Sequence, residues 1–251
     1  MTISIVVPCY NEETNLINGV LHVMKEYLDN QSYKKEVIIV DDGSEDNSVK
    51  LIEDFIKSNK AQYFSLIKNP HGGKAATVIT GMLAGKNDIV MFTDMDQATP
   101  LKEIEKILPH FDNSYDIVFG SRSNARKGAP LIRRIMARGF MMLRGIILGL
   151  NGIRDTQCGF KAFKREVAVD IFKRLKIHGE RKNIKGAMVA AGFDLEVLFL
   201  AKKLGYKLKE APVEWHYVGT RRVNVIKDSY RGLRDMIILR INDIRGVYQI
   251  K

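Results

Sequence analysis

Cysteine is scarce in this chain. There are two in 251 residues, Cys9 inside an apolar strand-like run and Cys158 in a glycine-flanked turn. A disulfide framework and a cysteine-rich metal site are both excluded, and a reducing setting fits best. Long apolar runs are missing too. No window approaches the roughly 18 uninterrupted apolar residues of a spanning helix; the nearest, Leu131 to Leu150, is broken by Arg133, Arg134, Arg138 and Arg144. Such a segment suits a helix lying in a membrane interface, or a buried core helix with a basic edge. Met1 and Thr2 lead straight into a strand pattern without the basic stretch and apolar run of a signal peptide, so a cytoplasmic location is expected. Internal repeats, low-complexity stretches and clear linkers are also wanting. Between Ile117 and Arg154 there is no acidic residue, while Arg122, Arg126, Lys127, Arg133, Arg134, Arg138, Arg144 and Arg154 accumulate.

What the chain does have is a formal charge of +11 and 45% apolar residues. The apolar fraction supports a real core, and the charge points to a polyanionic partner: nucleic acid, an anionic membrane surface or a phosphorylated substrate. The excess lies in an apolar-rich segment and the tail, and no nucleic-acid-binding motif is present, which argues against nucleic acid. Oligomeric state is not legible.

The first half alternates apolar runs with helical stretches. Ile3 to Val7, Val37 to Val40, Tyr63 to Ile67 and Ile89 to Thr93 read as strands, and Glu12 to Leu28, Asp46 to Ser58 and Lys74 to Ala84 as helices. This predicts an α/β fold, a mostly parallel sheet flanked by helices. A run at Asp116 to Phe119 ends in Gly120-Ser121-Arg122. Beyond Phe160 a helical stretch is expected, then a helix at Ala190 to Leu204 and a strand at Lys207 to Val213. The tail from Val225 to Tyr248 has apolar residues at helical spacing, so the second half holds amphipathic basic helices. Residues 1–220 are expected to form the main domain, with 131–150 a membrane-interface segment, and 221–251 a basic C-terminal helix.

In open sheets of this kind ligands bind beyond the carboxyl ends of strands, and those ends are strongly polar here. They read Pro8-Cys9-Tyr10-Asn11-Glu12, Asp41-Asp42-Gly43-Ser44 and Asp94-Met95-Asp96-Gln97. Asp94 and Asp96 at i, i+2 would share a face of a regular strand, and a hard divalent cation between two carboxylates relieves their repulsion. A solvated acidic loop is the plain alternative. A carboxylate at a strand end can accept from a base or a ribose hydroxyl. Gly43 permits a tight turn and Ser44 can cap the next helix. Tyr10 is as readily core packing. His71-Gly72-Gly73-Lys74 opens a helix, with Lys74 a positive charge near phosphates, although the P-loop spacing is absent.

Together these signals resemble the inverting family 2 glycosyltransferases of the GT-A, Rossmann-like fold. The resemblance rests on Val7-Pro8-Cys9-Tyr10-Asn11-Glu12, Asp41-Asp42-Gly43-Ser44, Gly73-Lys74, the Asp94 to Asp96 pair and Gly120-Ser121-Arg122, over about residues 1 to 220. Asp155-Thr156-Gln157-Cys158-Gly159-Phe160-Lys161 and Pro212-Val213-Glu214-Trp215 look most like the dolichyl-phosphate glucosyltransferase branch, with the mannosyltransferases close behind. The resemblance implies transfer of a hexose, glucose favoured, from a UDP-sugar to a polyprenyl (dolichyl) phosphate with inversion. The alternatives it leaves open are a GDP-mannose donor and a cell-surface glycan acceptor.

By the same resemblance Pro8, Tyr10, Glu12, Asp41, Asp42 and Lys74 surround the nucleotide-sugar, and Asp94 and Asp96 hold its diphosphate with Mg²⁺ or Mn²⁺. The chain departs from mannosyltransferase relatives in one place. They often carry a glutamine metal ligand two residues after the second aspartate, where this chain has Ala98, and Gln97 comes one position early. For the acceptor phosphate, arginine forks at Arg122 and Arg138 are the choices, with Arg133 and Arg134 as alternates. Asp96 completes the catalytic group, together with Asp155 as base, sugar-hydroxyl partner or structural cap. Lys161 is a further phosphate candidate. A lipid acceptor would place the protein peripherally on the cytoplasmic face of a membrane.

Overall fold

Apolar runs that alternate between two buried faces become the centre of a sheet here. The computed structural model of the chain describes residues 1–122, 131–177, 191–216 and 225–248, without the side chains of 131–138, 191 and 225–231. Its elements are β1 (Thr2–Cys9), α1 (Glu13–Ile17), α2 (Val20–Asp29), β2 (Lys34–Asp41), α3 (Ser48–Ser58), β3 (Phe64–Lys68), α4 (Gly73–Ala84) and β4 (Ile89–Phe92). After a 3₁₀ turn at Leu101–Glu103 come α5 (Ile104–Ile107), α6 (Pro109–Asp112), β5 (Ile117–Ser121), α7 (Leu131–Leu148), β6 (Lys161–Lys164), α8 (Arg165–Arg174), α9 (Ala191–Lys203), β7 (Leu208–Pro212) and α10 (Val225–Ile244).

The strands form one seven-stranded sheet in the order β3-β2-β1-β4-β6-β5-β7. In β1, Val6 packs into one apolar cluster with Val78, Met82, Phe92 and Phe163, while Ile5 and Val7 pack into the opposite one with Leu21, Ile39 and Met91. A strand buried on both faces is apolar along its length, as β4 is throughout and β1 is apart from Thr2 and the buried Ser4, whose hydroxyl is bonded to Glu36.

Two expectations are corrected. The helix expected from Glu12 to Leu28 is two helices, because Gly19 takes a left-handed conformation (φ 82°) between α1 and α2 that a residue with a β-carbon resists. The stretch after Phe160 opens as strand β6, not as a helix. β6 pairs antiparallel with both β4 and β5 and is the one reversed strand of the sheet. Four residues with a lysine at each end carry too little pattern to reveal it.

That reversal positions the site. Phe92 and Phe119 both pair with Lys161, the first residue of β6. The chain therefore enters β6 at the same edge where the parallel strands end, and the segment Asp155 to Phe160 lies beside Asp94. The C-terminal helix is no appendage: Met236 and Leu239 of α10 are fully buried and join the main core.

Candidate active site

The ends of β1, β2 and the β3–α4 connection make one half of the site. Asp41 and Asp42 are both buried, at 3% and 2% exposure, and both hold backbone together. Asp41 accepts from Gly43 N (3.0 Å) and Ser44 N (3.2 Å). Asp42 accepts from Gly72 N (2.8 Å) and Gly73 N (2.9 Å), and pairs with His71 Nδ1 (2.9 Å). Oδ2 meets two of these groups, Gly73 N and His71 Nδ1, and Oδ1 only Gly72 N, so Asp42 builds these loops with acceptor capacity left on Oδ1. The Tyr10 ring stacks on the His71 ring at 4.4 Å and 17°, which places Tyr10 among the strand-end loops and not in the apolar core. Glu12 sits beside it, accepting from Asn15 Nδ2 (2.5 Å), and its own N–H reaches Ser48 Oγ (2.8 Å). Pro8 lies at the end of β1, half-buried. Ser44 does not cap α3. Its hydroxyl accepts from Asn11 N (3.0 Å), and the Ser48 N–H that opens α3 goes to Asp46 (2.9 Å).

Asp94 and Asp96 do not occupy a strand face. β4 ends at Phe92 and both aspartates lie in the turn beyond it, closed by Gln97 N on the Asp94 carbonyl (3.2 Å) with Gln97 at φ 47°. Lys74 from the first turn of α4 forms an ion pair with Asp94. Asp96 accepts from Ala98 N (3.0 Å). Gln97 Nε2 donates to the Asp94 carbonyl (2.8 Å), and its buried Oε1 has no hydrogen-bond partner among the described residues.

No group of three His, Cys, Asp or Glu able to hold a metal occurs among the described residues. Asp94 and Asp96 nonetheless supply carboxylate oxygens, the hard donor type of which Mg²⁺ takes one or two from a protein. This fits a Mg²⁺-like ion that takes its remaining ligands from a substrate diphosphate.

The other half is a pocket lined by Thr93, Asp94, Ala98, Thr99, Arg122, Gln157, Cys158, Gly159 and Trp215. Arg122, just beyond β5, meets Asp155 in a two-pronged ion pair, Nε–Oδ2 2.7 Å and Nη2–Oδ1 2.8 Å, and the Arg122 N–H adds a third bond (3.0 Å). Asp155 is itself tied down, since its N–H donates to Glu210 of β7 (2.7 Å). Burial pushes the Asp155 carboxyl up, but the bonds and charge of Arg122 outweigh it and hold the pKa at about 2. A group so acidic and so fully engaged anchors Arg122 and is a poor general base. Burial pushes the Cys158 thiol up.

Some sequence candidates fall elsewhere. Lys161 is fully buried, bonded to Asp194 (2.5 Å) and the Cys158 carbonyl (2.5 Å), so it reaches no phosphate. Arg144, one of the basic interruptions of the Leu131 segment, faces inward. It is 3% exposed and donates to Thr156 Oγ1 (3.0 Å), bracing the loop that carries Asp155. Arg138, Arg133 and Arg134 lie on α7, but their side chains are outside the described residues. The motifs that contain Gln157, Gly159 and Trp215 assign these three residues no role of their own. The only signal for them is position: Trp215 follows the end of β7 and Gly159 precedes β6, both at the active edge.

Residues 4–172 match the family model described as glycosyl transferase family 2. The chain is 32% identical to a dolichyl-phosphate beta-glucosyltransferase of Dictyostelium discoideum, over 99% of this chain and 77% of that protein. To the dolichyl-phosphate beta-glucosyltransferase of Saccharomyces cerevisiae it is 28% identical, over 98% of this chain and 76% of that one. Among solved structures, a glucosyl-3-phosphoglycerate synthase of Mycobacterium tuberculosis, in complex with Mn²⁺, UDP and glucosyl-3-phosphoglycerate, has the same fold. The TM-score is 0.62 at 17% identity, covering 95% of this chain and 79% of that chain.

Proposed function

The chain belongs to glycosyl transferase family 2 and is a glycosyltransferase, and from that premise we propose that it moves glucose from UDP-glucose to the phosphate of a polyprenyl lipid such as dolichyl phosphate. The observation that carries the acceptor is Arg122, a guanidinium fixed by Asp155 and lining the same pocket as Asp94. The donor reading is supported by Tyr10 stacked on His71 beside Asp42, by Lys74 paired with Asp94, and, for the sugar, by the dolichyl-phosphate beta-glucosyltransferases to which the chain is similar.

The chemistry follows from the acceptor. A phosphate monoester has a second pKa near 6, so its oxygen is already a nucleophile near neutral pH and needs no strong base. It attacks the anomeric carbon, forming the new C1–O bond as the bond from C1 to the diphosphate breaks. The leaving electron pair goes to UDP, and configuration inverts. Arg122 meets the incoming phosphate, and Lys74 is placed to shift from Asp94 towards the departing diphosphate. Asp94 and Asp96 would hold Mg²⁺ or Mn²⁺, whose charge, when bound, stabilises the leaving diphosphate.

Incubation with UDP-glucose, Mg²⁺ and dolichyl phosphate is expected to yield UDP and a lipid-linked hexose in equal amounts. A donor panel including GDP-mannose reads the sugar, and turnover that persists without lipid phosphate would replace the acceptor with a glycan. Absence of product with every donor would sink the proposal.

The same reading puts the protein on a membrane surface. No helix of the described residues is long and apolar enough to cross a membrane. On α7, Met142, Leu143 and Ile146 are exposed, and on the adjoining α10 so are Leu233, Ile237, Ile241 and Ile244. Arg234 and Arg240 flank that stripe with more than half of each side chain exposed. Apolar side chains at helical spacing with basic neighbours suit an anionic interface. Binding to phosphatidylcholine vesicles containing phosphatidylserine is expected, and the pair I237E and I241E should reduce it at least tenfold, since each charge opposes insertion by ~1 kcal/mol or more. Equal sedimentation of this variant and the wild type would refute the assignment.

A further inference from the structure

We infer that Trp215 is the wall of the donor pocket against which the hexose of the sugar nucleotide lies, a specificity-determining residue for the transfer. The inference rests on the donor reading above and adds the surface that sees the sugar.

Trp215 is held by its neighbours. Val213 N donates to the Ser121 carbonyl (3.1 Å), Glu214 N to the buried Glu103 carboxylate (2.8 Å), and His216 N to the Ala98 carbonyl (2.7 Å). The segment is thus bolted to the turn that carries Asp94 and Asp96 and to the residue preceding Arg122. The Arg122 guanidinium lies over the indole at 5.8 Å from the ring centroid, within cation–π reach. Asp155 fixes Arg122, so the ring has a rigid backing.

Beside Trp215 and Arg122 the pocket presents the polar groups of Thr93, Thr99, Gln157 and Asp94, with the small residues Ala98, Cys158 and Gly159 between them. A phosphate asks only for donors, and an indole has a single N–H. A pyranose is different, presenting a C–H face to an aromatic ring and a rim of hydroxyls to amide and hydroxyl groups. One half-buried aromatic among short polar side chains matches that two-sided ligand. Placed next to the aspartates of the diphosphate site, it matches the hexose attached there.

Trp215 is the single tryptophan of the chain, so emission excited at the red edge, where the nine tyrosines do not absorb, reports this position alone. With Mg²⁺ present, UDP-glucose is expected to shift or quench the emission while UDP changes it little. Trp215→Ala should raise KM for UDP-glucose about tenfold while the Kd for UDP moves by less than about twofold, and Trp215→Phe should restore most of the difference. Identical emission changes with UDP and UDP-glucose would overturn the inference, as would a response to a short-chain polyprenyl phosphate alone or an equal loss of UDP and UDP-glucose binding in W215A. If calorimetry finds GDP-mannose bound, with the emission shift, and UDP-glucose not bound, the donor assignment fails and the role of Trp215 stands. If no sugar nucleotide binds, both fall.

Discussion

Asp94→Asn is expected to lower kcat by about 10²- to 10³-fold, the range found when one preorganised stabiliser of developing charge is removed. KM for the sugar nucleotide should change much less. The asymmetry comes from Lys74, which forms an ion pair with Asp94 in the resting site. Without the carboxylate Lys74 can still meet the ground-state diphosphate, so binding is buffered. The transition state, where charge builds on the departing diphosphate, loses Asp94 and whatever cation it would hold. Gly159 supplies a second variant that leaves the charge intact. A β-carbon there would sit 2.7 Å from Asp94 Cγ, far inside van der Waals contact, and the obstructed group is the end of a flexible side chain. Gly159→Ala should therefore fold normally and push the carboxylate aside, costing about 10²-fold in kcat, as misplacement by about an ångström does. Kinetics of both variants with Mg²⁺ and with Mn²⁺, alongside thermal midpoints, test this. Turnover within tenfold of wild type for both would show that Asp94 has no part in the chemistry.

Gly159 also shows where sequence reading stops. Runs such as Ile89-Val90-Met91-Phe92 announce themselves because burial on both faces leaves no room for polar residues, and the polar strand ends mark the active edge by position alone. Five of the first six β-strands lie close to their expected places for that reason. β6 was invisible because its register depends on pairing with β4 and β5, not on its own four residues. Lys161 is a further phosphate candidate by sequence, yet the antiparallel turn buries it against Asp194. Asp42 was legible as a candidate site residue but not as a builder of the loops, since its partners Gly72 and Gly73 lie some thirty residues away. The same limit hid the partnership of Arg122 with Asp155, which are 33 positions apart. Both were picked for chemistry, and only folding shows that one holds the other.

That partnership predicts a separation of roles. Arg122→Ala would leave a buried carboxylate without its cation, at a cost of about 3–5 kcal/mol in stability, so activity is better read in Arg122→Lys. Lysine keeps the charge but cannot present a two-pronged fork to both Asp155 and a phosphate, and a loss of about 10²-fold in kcat/KM for the polyprenyl phosphate is expected. Asp155→Asn retains the shape and frees Arg122 to swing, so it should raise the acceptor KM more than it lowers kcat. The pH behaviour separates anchor from base. In the folded chain the Asp155 carboxyl is held to about 2, below the ordinary value of ~3.9. Its contribution to stability is fully present above about pH 4 and disappears as pH falls towards 2, on the order of 2–3 kcal/mol. Unfolding of D155N should lack that acid-dependent component. Activity, by contrast, should fall below pH ~6 in wild type and D155N alike, because the group being protonated is the acceptor phosphate. An acid limb that vanishes in D155N, or a rate that collapses while acceptor binding is unchanged, would make Asp155 the base after all and return Arg122 to a supporting part.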